Sequence, residues 1–173
     1  MSKKPVVYIA GPECFMPDGK EKAEAAVKLC EELGFDPISP AKGHPMAEPV
    51  DFSKGKKEAG KQIFRNNIRY INSCDLVIAN MNDFRGWEPD GGTCFEIGYA
   101  YTQGKKIYVF IDNTRPYYEK YKGDMSFDGV FWRDGNGAFF ESGCMNLMIS
   151  GHATVVEGTF EDAVRKAKED FGI

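Results

Sequence analysis

The sequence predicts an α/β fold: a flavodoxin-like, doubly wound sheet of about five parallel strands in the order 2-1-3-4-5, with helices on both faces. The main observation is alternation: short apolar, β-branched runs take turns with longer segments whose apolar residues recur at helical spacing. The second is length, because 173 residues suit one domain spanning 1–173, and a chain of roughly 150 residues already buries about 70% of its unfolded surface. No disulfide or structural metal is required for such a core.

Pro5–Ala10 reads as a buried first strand ending at the Gly11-Pro12 turn. In the helix predicted over Lys20–Leu33, Ala23, Ala26, Val27, Cys30 and Leu33 share a face and Gly34 is the stop signal. Phe35–Ser39 is the second strand, placed at an edge by Pro37. The proline-, glycine- and lysine-bearing stretch Pro40–Gly60 reads as a long, mobile surface loop of the kind that covers sites. A helix over Lys61–Asn72 follows through Ile63, Phe64, Ile68 and Ile71, then a strand at Asp75–Ala79. The next helix is expected from Thr93 to Gly104 and the next strand over Lys106–Ile111. Arg115–Gly143 has no clear period and reads as irregular; a turn or short helix near Asn146, a strand at Ala153–Val156 and a helix at Phe160–Phe171 complete the chain.

Net charge and cysteine usage narrow the partners. A charge of −4 lacks the concentrated basic surface that a nucleic-acid polymer requires, so small-molecule substrates are expected. Cys14, Cys30, Cys74, Cys94 and Cys144 are odd in number and without a CxxC pair, which predicts buried free thiols in a reducing compartment. The apolar stretch near the N-terminus is too short for a leader or a membrane span, so the expected location is the cytoplasm, with no membrane partner. His44 and His152 carry no ligand pattern, and no metal or cofactor is expected.

Ligands of doubly wound sheets gather beyond the carboxyl ends of the strands, which singles out the loop after the first strand and that after the third. The latter, Asn80–Gly92, is crowded with carboxylates and leads into the helix carrying Glu96. Glu96 is expected in that helix's first turn, where free N–H groups and the dipole favour an ionised, low-pKa carboxylate fit for nucleophilic attack. Thr93-x-x-Glu96 equally satisfies a capping box, with Thr93 as the cap. Asp90 has an equivalent alternative as a turn aspartate beside two glycines, Tyr8 as a buried strand tyrosine, and Phe15 as loop packing. Arg85 could neutralise Glu88 or steady the loop.

The opening Val-Tyr8-Ile-Ala-Gly11-Pro12, the run Asp75-Leu-Val-Ile-Ala-Asn-Met, and the block Arg85-Gly-x-Glu-Pro-Asp90-x-Gly-Thr93-x-x-Glu96-Ile-Gly98-Tyr-Ala resemble the nucleoside 2-deoxyribosyltransferase family. The resemblance runs in order from the first strand to Asn146-Leu-Met148. It implies exchange of the base of 2'-deoxynucleosides through a deoxyribosyl ester on Glu96, with hydrolysis as a side reaction. Asp90 would shuttle the proton, Tyr8 would orient Glu96, and Gly11 and Phe15 would contact substrate. Asn146 and Met148 match residues that reach a neighbour's pocket, so the resemblance further implies a homo-oligomer with shared active sites. Asn67 departs from an aspartate found in some members, which leaves its part in substrate contact open, and nothing is carried over to the C-terminal helix. Two other readings stand beside this one: a 2'-deoxynucleoside 5'-monophosphate N-glycosidase, against which Glu13 would repel a phosphate, and a non-catalytic nucleotide-binding module.

Overall fold

A computed structural model describes residues 3–141 and 143–173. The chain runs β1 (Val6–Ala10), α1 (Gly19–Glu32), β2 (Asp36–Ile38), α2 (Lys56–Ser73), β3 (Leu76–Asn80), α3 (Gly91–Tyr101) and β4 (Lys106–Ile111). It continues through α4 (Tyr117–Lys120), β5 (Met125–Phe127), β6 (Trp132–Asp134), α5 (Leu147–Ser150), β7 (Thr154–Glu157) and α6 (Phe160–Phe171). The main sheet is five-stranded in the order β2-β1-β3-β4-β7, all pairs parallel, which is the predicted 2-1-3-4-5 order.

Alternate strand residues face opposite sides of the sheet. Tyr8, Ala10, Val77, Ala79, Ile107 and Val109 pack with Tyr70 and Ile71 of α2 and Ile97 and Ala100 of α3. Val7, Leu76, Ile78, Tyr108 and Phe110 pack on the other side with Cys30 of α1 and with Ala163, Val164 and Ala167 of α6. This period-2 assignment puts Tyr8 on the face covered by α2 and α3. The turn after α1 is made by Gly34 at φ 98, with Phe35 N–H donating to the Cys30 carbonyl at 2.9 Å, a left-handed stop that glycine adopts without Cβ strain.

Three expectations are corrected. Helix α2 begins at Lys56, ahead of the expected Lys61, because burial of Ala59 against the core outweighs the helix cost of Gly60, about 1 kcal/mol. The loop before it is fastened rather than loose: Asn66 exchanges two hydrogen bonds with the backbone of Glu48, at 3.0 and 2.9 Å, and Gln62 accepts from Asp51 N–H at 2.7 Å. Arg115–Gly143 contains the short helix α4 and the antiparallel hairpin β5–β6. Its tip is organised by Asp128, whose carboxylate accepts from Val130, Phe131 and Arg133; those donors hold it down to about 2.

The thiols depart from expectation too: Cys30 and Cys74 are buried, Cys94 and Cys144 half-buried, and Cys14 exposed, all of them free. No helix among the described residues is long and apolar enough to cross a membrane.

Candidate active site

Helix α3 brings the loop carboxylates into register. Its N-cap is Asp90, whose Oδ2 accepts from Thr93 N–H at 2.9 Å and Thr93 Oγ1 at 3.0 Å. Thr93, expected as the cap, is instead the donor to it and is buried. Starting the helix at Gly91 places Glu96 in the second turn, and the first turn holds no acidic residue. The capping box is therefore absent, and the helix dipole, which fades within the first turn, does not account for a charge on Glu96.

Other elements supply the compensation. The Tyr8 phenol donates to Glu96 Oε1 at 2.6 Å, and Asn67 Nδ2 of α2 donates to the same oxygen at 3.1 Å. Burial, and then the Glu96 charge, push the fully buried Tyr8 phenol far above its ordinary range, so it stays a proton donor. Glu96 itself lies above the usual carboxylate range, contrary to the expected low value. Desolvation raises it more than the Tyr8 and Asn67 hydrogen bonds lower it, and Asp90 adds a further upward push. Both donors occupy Oε1, leaving Oε2 without a hydrogen-bond partner among the described residues.

Beside Glu96 lies a cavity of about 310 Å³ walled by Ile63, Phe64 and Ile68 of α2 and by Gly92 and Phe95 of α3. This apolar wall was unforeseen as part of a site: the spacing of Ile63, Phe64 and Ile68 marked a helix and no more. Phe15 does not line that cavity. It stands 57% exposed, stacked on Phe84 at 5.7 Å between ring centroids. The Arg85 guanidinium lies over both rings, 5.4 Å from Phe15 and 4.8 Å from Phe84. Arg85 thus steadies the loop through aromatic faces, with its backbone at φ 54 in the left-handed region.

Gly11 follows the last residue of β1. A Cβ there would collide with Glu13 Oε2 and lie 3.0 Å from Asn80 Cβ. Glu13 Oε1 accepts from Asn80 Nδ2 at 2.6 Å, and Asn80 Oδ1 accepts from the Asn82 amide N–H at 2.9 Å. Asn82 Oδ1 then accepts from Asp112 N–H at 2.8 Å. A chain of side chains thereby ties together the carboxyl ends of β1, β3 and β4.

The structure brings Tyr8, Asp90 and Glu96 together and adds Asn67. Asn146 and Met148 lie elsewhere, lining a groove of about 810 Å³ with Glu88, Cys94, Gly98 and Tyr101. Asn146 caps α5, accepting from Met148 N–H at 3.0 Å and donating to Glu141 at 3.2 Å. Leu147 and Met148 project outward, 56% and 73% exposed. His152 packs on Tyr101 at 4.5 Å between centroids. Among the described residues no group of three or more His, Cys, Asp or Glu is placed to hold a metal ion.

Fold and site together define a doubly wound α/β protein in which β1 and α2 hold a hydrogen-bonded, half-buried carboxylate of α3. The chain belongs to the nucleoside 2-deoxyribosyltransferase family, whose model matches residues 7–162. A solved 2-deoxyribosyltransferase from Leishmania mexicana is 32% identical, superposes with a TM-score of 0.73, and is matched over 95% of this chain and 97% of its own. A 2-deoxyribosyltransferase from Bacillus psychrosaccharolyticus, 20% identical with a TM-score of 0.59 over 94% of this chain and 90% of its own, shares the fold. An uncharacterised protein of Schizosaccharomyces pombe is 28% identical over 155 residues, 89% of this chain and 71% of that protein.

Proposed function

We propose that the protein exchanges the nucleobase of 2'-deoxynucleosides, with Glu96 as nucleophile and Asp90 as proton shuttle. Glu96 Oε2 attacks C1' as the C1'–N bond breaks, and the departing base takes its proton from Asp90. A nitrogen of the incoming base then attacks C1', the ester to Glu96 breaks, and the proton returns to Asp90; water in place of the base gives hydrolysis. A 2'-deoxy sugar lacks the electron-withdrawing hydroxyl that opposes positive charge at C1', so this displacement requires neither metal nor cofactor.

The observation that carries the reading is the convergence of Tyr8 and Asn67 on one Glu96 oxygen. A carboxylate held in this way keeps a fixed orientation with one oxygen available to a sugar. The Asp90 arrangement agrees with it, because capping uses only Oδ2. The family supports nucleosides as the substrate class. We further infer a homo-oligomer with shared sites, in which Asn146 and the exposed Met148 complete the pocket of a neighbour.

The test is base exchange by Glu96→Gln. Glutamine still accepts the Tyr8 and Asn67 hydrogen bonds but is a poor nucleophile, so exchange falls on the order of a thousand-fold or more. Mass spectrometry of the parent with substrate alone finds one deoxyribosyl mass, mapped to Glu96. Near-normal exchange by the variant would refute the assignment.

A further inference from the structure

The carboxyl ends of β1 and β3 hold a carboxylate that the reaction does not use. Glu13 stands in the short 3-10 turn Pro12–Phe15 directly after β1. Its position is fixed twice over. Asn80, the last residue of β3, donates to Oε1 at 2.6 Å, and Oε2 occupies the space that a side chain on residue 11 would fill. Gly11 thus leaves room for the Glu13 carboxylate to fold back over the strand end. The Asn80–Asn82–Asp112 chain holds the donor in turn.

This carboxylate lies just past the carboxyl end of the strand whose Tyr8 holds Glu96. The neighbouring Cys14 thiol is pushed up by burial and then by Asp90, Glu96 and Glu13, so the residue next to Glu13 feels the same carboxylates that the reaction uses. Tyr8 and Gly11 stand three residues apart along the carboxyl end of β1, about 10 Å at roughly 3.3 Å per residue, which puts the Glu13 carboxylate beyond the sugar that Glu96 holds, on the strand-end side. Among the described residues none of the three carboxylates has a cation within 4.0 Å. The nearby Arg85 guanidinium is laid over Phe15 and Phe84. Glu13 is therefore an acceptor for a neutral hydroxyl and a repulsive charge toward a phosphate.

We propose that Glu13 is a specificity residue: its carboxylate, seated over Gly11 by Asn80, accepts a hydrogen bond from a free hydroxyl of the deoxyribose and excludes nucleosides phosphorylated at that hydroxyl. The proposal rests on the deoxynucleoside reading above and names the residue that sets the preference for nucleoside over monophosphate. Gly11 then acts through Glu13, by leaving its carboxylate the room it needs.

The experiment compares the natural 2'-deoxynucleoside that binds the parent most tightly with its 5'- and 3'-monophosphates, by calorimetry and by base exchange. The parent discriminates against at least one monophosphate, and which one it rejects identifies the hydroxyl. Glu13→Gln keeps an oxygen for Asn80 and removes the charge; nucleoside binding weakens a few-fold, the monophosphate binds more tightly, and discrimination falls about tenfold or more. Gly11→Ala, which displaces the carboxylate, produces the same loss of discrimination, whereas Glu21→Gln on the exposed face of α1 leaves it unchanged. Equal binding of nucleoside and monophosphates by the parent, or the same discrimination in Glu13→Gln as in the parent, overturns the proposal. A parent that discriminates in binding but exchanges no base refutes the activity and leaves the role of Glu13 standing. A parent that binds no deoxynucleoside refutes both.

Discussion

Tyr8→Phe removes one atom, and its effect follows from the geometry. The lost bond is a 2.6 Å O–H···O contact to Glu96, the short, charge-assisted kind, and hydrogen bonds to charged groups contribute about 1.5–3 kcal/mol. At about 1.36 kcal/mol per pKa unit, Glu96 rises by about 1–2 units. Exchange requires ionised Glu96, so the acid limb of the kcat/KM profile moves to higher pH by that amount, with less loss on the plateau. Stability changes with a definite sign. Glu96 already lies above its ordinary value because desolvation dominates, so its contribution is favourable at low pH, and stability is lost as pH rises from the unfolded value through the folded one. Tyr8→Phe extends that window upward, destabilising the fold at neutral pH by about 1.5–3 kcal/mol and scarcely at all where Glu96 is protonated. For a chain of 173 residues, roughly 2–4 °C per kcal/mol makes the neutral-pH drop in Tm about 3–12 °C. Paired pH–rate profiles and melts at acid and neutral pH test this. An unmoved acid limb with equal Tm losses at both pH values would show that Tyr8 fills space without supporting a charge.

The same sign predicts that Glu96→Gln, while losing exchange, melts above the parent at neutral pH and loses that advantage in acid; a lower Tm at neutral pH refutes the desolvation argument. Asp90→Asn keeps a good cap for α3, so the fold persists while exchange of natural deoxynucleosides falls about 10²–10⁴-fold. A deoxyriboside with a nitrophenolate leaving group loses much less, and equal losses on both substrates would make Asp90 structural. Mixing Asn146→Ala, Met148→Ala protein with Glu96→Gln protein restores exchange through hybrid oligomers, since one pocket then combines an intact Glu96 with an intact neighbouring wall. Verified hybrids without activity, from folded and separately impaired parents, would confine the site to one chain.

The parallel sheet was legible because each strand is a short apolar run between turn residues, and helices α1 and α6 because their apolar stripes keep one period. What failed was local reading where tertiary contacts decide. Thr93 and Asp90 both precede an apolar helical stretch, and only the packing that buries Thr93 selects Asp90 as the cap. Asn67 has no local signature, since its contact with Glu96 is made only where α2 packs against α3. In the hairpin β5–β6 every residue of β5 is exposed and every residue of β6 half-buried, so neither strand shows the alternation that marks one buried face. Its turn depended on Asp128, a residue whose three donors are visible only in space.

The placement of Glu96 explains why the site is assembled from separate elements. In the first turn of α3 the dipole and free N–H groups would have kept the carboxylate ionised locally, at some cost in basicity. One turn further on, the carboxylate is desolvated and raised, which on the proposed mechanism favours attack on C1', but a charge there needs donors from outside the helix. Strand β1 supplies Tyr8 and α2 supplies Asn67, both to Oε1. On the proposed mechanism Glu96 is nucleophile in the first step and leaving group in the second, so the two influences act on different halves of the reaction. Desolvation assists formation of the ester at Oε2, and the donors on Oε1 stabilise the carboxylate as the ester breaks. Either one alone would speed one half-reaction and leave the other as the barrier.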